Sequence, residues 1–131
     1  MSFTLSPFLR QVLFIDAAVS GAAGLLMAAA APFLSPLLGL PSGLLFWAGI
    51  ALFPFVAVLI AVARRGEASR LVLVNIIAVN ALWVAASVGL LVSGAVAPTL
   101  LGHAFVIAQA LAVALLAGLQ AAGLRRMTAN A

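Results

Sequence analysis

Three side chains in this sequence have the usual means to take or give a proton near neutral pH: Asp16, Glu67 and His103. Glu67 sits in a polar loop among arginines, whereas Asp16 is the one acid inside a long apolar run. A carboxylate in a membrane span is costly unless it is paired, protonated or hydrated, so Asp16 is the first residue to explain. It could carry a proton in coupled transport, or it could clamp helices together by accepting hydrogen bonds. Metal-free catalysis would need a nucleophile with a base, or two carboxylates. Asp16 and His103 are expected at opposite faces of the membrane, so no enzyme is expected. Cys is absent and His103 is the only His, so no metal and no cofactor is expected either.

The elements that position Asp16 follow from composition. Of 131 residues, 67% are hydrophobic and 6% charged, against about 45–50% apolar and about 25% charged in soluble domains. Mean hydropathy is +1.38. A bilayer core of about 30 Å takes about 20 apolar helical residues. Four stretches meet that test, at about 12–31, 44–63, 71–93 and 102–124. The expected fold is an all-α integral membrane protein, a four-transmembrane-helix bundle forming a single domain over residues 1–131. Ser6-Pro7 is a helix start, with Ser as cap and Pro at the first helical position. Pro54 predicts a bend in span two. The three prolines between Pro32 and Pro41 argue against a regular helix throughout that connection. Arg10, an apolar run and Ala28 to Ala31 resemble a signal peptide, but the run is long and contains Asp16, so it is read as a span.

All six cations are arginines, and all flank apolar spans on one side: Arg10, then Arg64, Arg65 and Arg70, then Arg125 and Arg126. The positive-inside rule places both termini in the cytoplasm. It also explains the basic balance without nucleic acid as a partner. The expected location is a bacterial inner membrane, and the expected partners are lipids, a second copy or another membrane protein, or a lipophilic small molecule. Arg10-x-Val12-Leu13 recurs as Arg70-x-Val72-Leu73, which suggests a parallel repeat of two helical hairpins.

Depth sorts the polar residues. On a rise of about 1.5 Å per residue, Asp16 lies about 9 Å inside Arg10. Asn75 lies five positions inside Arg70, and Gln120 five before Arg125, so all three are expected in one layer. Ser20 and Asn80, ten positions in from Arg10 and Arg70, are expected to pair nearer the midplane. Asp16, Asn75, Gln120, Ser20 and Asn80 are therefore the candidate site, with Arg10, Arg70 and Arg126 as candidate ion-pair partners of Asp16. Three stripes are read as inward: Asp16-Ser20-Gly24-Ala28, Asn75-Leu82-Ala86-Gly89-Ser93 and Gln109-Val113-Leu116-Gln120-Gly123. Asn80, Trp83 and Ser87 share a different face of span three, and Phe46, Phe53 and Ile60 suggest a lipid face on span two.

Two functions fit. One is a non-enzymatic membrane subunit or a bundle that binds a lipophilic ligand or partner. The other is a small proton-coupled transporter acting as a dimer, with Asp16 as its proton or substrate site. Four spans in a short chain with one acid in the first resemble the small multidrug resistance transporters in layout alone. Those proteins use a membrane Glu amid aromatic residues, whereas this chain has Asp16, no Tyr and no Trp in span one.

Overall fold

Local sequence sets where the helices begin and end. Ser6 Oγ accepts from Leu9 N at 3.2 Å and starts α1 (Pro7–Ala29). Ser69 Oγ does the same for Val72 N and starts α4 (Arg70–Val92). Gly39 and Gly66, at φ 68° and 72°, end α2 (Ala31–Leu38) and α3 (Ser42–Arg65) in the left-handed region that glycine adopts without strain. The last helix is α5 (Leu100–Ala129). This computed structural model describes the backbone of residues 2–129. Its helices α1, α3, α4 and α5 are each long and apolar enough to cross a membrane.

The arrangement is two close pairs. α1 packs most extensively on α3, and α4 on α5, while α5 also lies against α1. The α1–α3 contact is backbone on backbone. A Cβ added at Gly49 would stand 2.7 Å from the Gly24 carbonyl oxygen and 2.7 Å from Ala28 N. Small residues permit this approach where apolar lipid supplies no hydrophobic drive between helices. Leu9 fits against Gly123 to join α1 to α5. By contrast, α3 and α4 scarcely touch. Buried leucines gather in two clusters, one around Leu9, Leu13, Leu59 and Leu73 at the arginine end, the other around Met27, Leu38, Leu45 and Val106 towards the charge-free end.

One feature, a short strand pair, differs from expectation. The connection after α1 is partly regular: α2 contains Pro36 and stops at Gly39, where its end is held by Thr99, which donates from N to Leu38 O and from Oγ1 to Leu37 O. α1 begins at Pro7, ahead of the apolar run, as the Ser6-Pro7 start predicts. A short antiparallel pair also joins β1 (Ser2–Thr4) to β2 (Glu67–Ser69), with Phe3 opposite Ala68. Leu5 N continues it by donating to Gly66 O at 2.8 Å. α3 runs through Pro54, and Phe46, Phe53 and Ile60 are exposed, as a lipid-facing stripe requires.

Candidate functional site

Asp16 is fully buried, at 0% exposure, on the α1 face that also carries buried Ser20 and Gly24. Its Oδ1 accepts from Ser20 Oγ at 2.9 Å, one turn along the same helix. Its Oδ2 accepts from Asn80 Nδ2 of α4 at 2.8 Å and from Gln120 Nε2 of α5 at 2.6 Å. Asn80 Nδ2 donates a second bond to Gln120 Oε1 at 3.0 Å. One carboxylate thus gathers three donors from three helices, each buried. Burying these groups is tolerable because each has a partner; a donor left alone there would cost about 1–3 kcal/mol.

The five residues selected by type and depth therefore separate. Asp16, Ser20, Asn80 and Gln120 converge. Asn75 does not: it is exposed and its Nδ2 donates to Leu71 O of its own helix. The depth ruler misplaced it, because Arg10 is the fourth residue of α1 while Arg70 is the first of α4. Counted from the helix starts, Asp16 follows Pro7 by nine positions and Asn80 follows Arg70 by ten, so these two are level. The Asn75-Leu82-Ala86-Gly89-Ser93 stripe is mostly exposed, and the Asn80-Trp83-Ser87 face is the one turned inward.

The arginines do not pair with Asp16. Arg10 Nε donates to Ala63 O at 2.6 Å and its Nη2 to Arg64 O at 3.4 Å, capping the carbonyl end of α3, where the helix dipole favours a cation. The Arg126 guanidinium lies 5.6 Å from the centroid of the Phe8 ring. Arg70 is exposed at the start of α4.

A second polar group, read from the sequence only as packing and glue, lies further towards the charge-free end. Trp83 Nε1 donates to Gln109 Oε1 at 2.6 Å. Gln109 Nε2 donates to Ser87 Oγ at 3.0 Å and Val106 O at 2.9 Å, and Ser87 Oγ donates to Trp83 O at 2.8 Å. The one-face spacing of Asn80, Trp83 and Ser87 is the signal that could have found it. This group ties only α4 to α5.

Beside it the molecule is hollow. A cavity of about 300 Å³ is lined by α3 residues such as Leu45 and Ala48 and by Trp83, Ala86, Ser87 and Gln109. A smaller one of about 40 Å³ shares Met27, Trp83, Phe105 and Gln109 with it and reaches Ser20 and Asn80. The smaller is walled by all four long helices, the larger by α3, α4 and α5 with Met27 of α1, and α3 and α4, which both line it, scarcely touch. No three metal-ligating side chains converge among the described residues. Comparison with family models, curated proteins and solved structures finds no match for this chain.

Proposed function

We propose that this chain is a non-enzymatic membrane bundle that holds a lipophilic ligand in the cavity among its helices. Its termini would face the cytoplasm of a bacterial cell, by the arginine bias, with the two helix pairs as a parallel repeat. The observation that carries the reading is the larger cavity. At about 300 Å³ it falls in the range of about 300–1,000 Å³ usual for ligand pockets, and it has their apolar wall with a few polar groups. Of the helices that line it, α3 and α4 scarcely touch, so a molecule dissolved in the bilayer could enter sideways between them. A second copy or a partner membrane protein could cover that opening.

Ala48 lines the larger cavity and makes no side-chain hydrogen bond, so Ala48→Phe fills the space and leaves the polar groups alone. Protein purified in lipid nanodiscs is expected to carry a lipophilic molecule in native mass spectrometry, and A48F to lose it. Wild-type protein free of any bound molecule would sink this reading.

One observation favours the proton-coupled alternative: Ser20 and Asn80, which line the smaller cavity, both bond Asp16 directly. That reading predicts that Asp16→Asn folds yet abolishes substrate-dependent proton flux in liposomes. Unchanged flux in the folded variant excludes it.

A further inference from the structure

We infer that the two adjoining cavities together select molecules headed by a hydrogen-bond donor, an alcohol or an amine on an apolar body, over acceptor-only molecules such as ketones, with the head towards Asn80 in the smaller cavity and the body in the larger. The inference rests on the ligand-binding reading and adds the chemical class. It comes from asking which hydrogen-bonding valences the polar side chains of the wall still have free.

The donors are engaged. Trp83 has one N–H, and it goes to Gln109. Both protons of the Gln109 amide nitrogen are used, on Ser87 Oγ and Val106 O. The Ser87 hydroxyl donates to Trp83 O, and the Ser20 hydroxyl to Asp16 Oδ1. The Asn80 amide nitrogen uses both protons, on Asp16 Oδ2 and Gln120 Oε1. An amide nitrogen carries two protons and an indole or hydroxyl one, so no side-chain donor is left.

Acceptors are left. No described protein group donates to the side-chain carbonyl oxygen of Asn80, although Asn80 is only 3% exposed. The amide cannot be turned round, because its nitrogen faces a carboxylate oxygen and an amide oxygen, which both require a donor. The planar group that aims its nitrogen at Asp16 and Gln120 therefore turns its oxygen away from them, and Asn80 lines the smaller cavity. Ser20 Oγ and Gln109 Oε1 keep lone pairs as well. Asp16 also polarises the Asn80 amide from behind, which strengthens its carbonyl as an acceptor. A ligand with an O–H or N–H satisfies this oxygen. One with only a carbonyl meets lone pair against lone pair and leaves both without a partner, the kind of mismatch by which buried polar groups reject an analogue.

Trp83 lines both cavities and reports occupancy. Trp47 is the only other Trp and is 67% exposed, so W47F leaves Trp83 as the sole emitter. Three brominated aryl-alkyl probes on one carbon skeleton, an alcohol, an amine and a ketone, are titrated into W47F protein in nanodiscs. The expected result is saturable quenching by the alcohol and the amine at concentrations at least tenfold below those the ketone needs. Adding A48F should remove it. Equal quenching by all three that A48F removes overturns the donor rule and leaves the binding site standing. Preference for the ketone overturns the rule outright. Quenching that never saturates, or that A48F leaves untouched, is partition into the bilayer and overturns the site and the rule together.

Discussion

The two polar groups inside this bundle use the same side-chain types to opposite ends. Around Asp16, one acceptor draws donors from α1, α4 and α5, and the residues are buried. Around Gln109, the bonds stay within the α4–α5 pair, α3 stands off, and a cavity of about 300 Å³ remains. A polar residue closes a bundle when its partners lie on several helices. When they lie on one neighbouring pair, it stiffens that pair and leaves the rest free to part. On this view, the first group holds the fold and the second shapes an opening.

The largest effect should come from removing the shared acceptor. Asp16→Ala leaves Ser20, Asn80 and Gln120 without their bond to it and is expected to cost roughly 2–4 kcal/mol, two interhelical bonds and one within α1 at once. Reversible unfolding in mixed micelles measures it. A loss below about 0.5 kcal/mol, the size of an ordinary surface change, would erase the contrast between the two groups. Gln109→Leu should cost less, about 1–2 kcal/mol, the upper range for interhelical bonds in membranes. It should also shift Trp83 emission, because the indole N–H loses its acceptor. If it destabilises as much as Asp16→Ala, the second group holds the fold too. Asn75→Leu, exposed on α4, sets the zero of this scale and should stay within about 0.5 kcal/mol.

The four long helices were legible in the sequence because apolar runs, serine caps and terminal arginines all speak locally. The β1–β2 pair was not, since three residues on each side carry no periodic pattern and their pairing depends on α1 and α3 lying together. Within the site, residue type singled out Asp16, Ser20, Asn80 and Gln120, while depth alone could not group them. Depth fixes height but not direction around the axis, and Asn75 and Asn80, five residues apart, point about 140° apart on a helix of 3.6 residues per turn. The arginines were credited to Asp16 because charge suggests charge. In the fold, the carbonyl end of α3 takes Arg10 instead, a partner that no side-chain inventory displays.

The bonds of Asp16 also set a timetable. A chain is made from its N-terminus, and Asn80 and Gln120 lie 64 and 104 residues downstream of Asp16. For most of synthesis the acid has only Ser20, four residues on, to bond. The first helix therefore leaves the ribosome with this acid held only by Ser20; Asn80 joins it when α4 emerges and Gln120 only with α5. The chain's last helix completes the site that its first one begins.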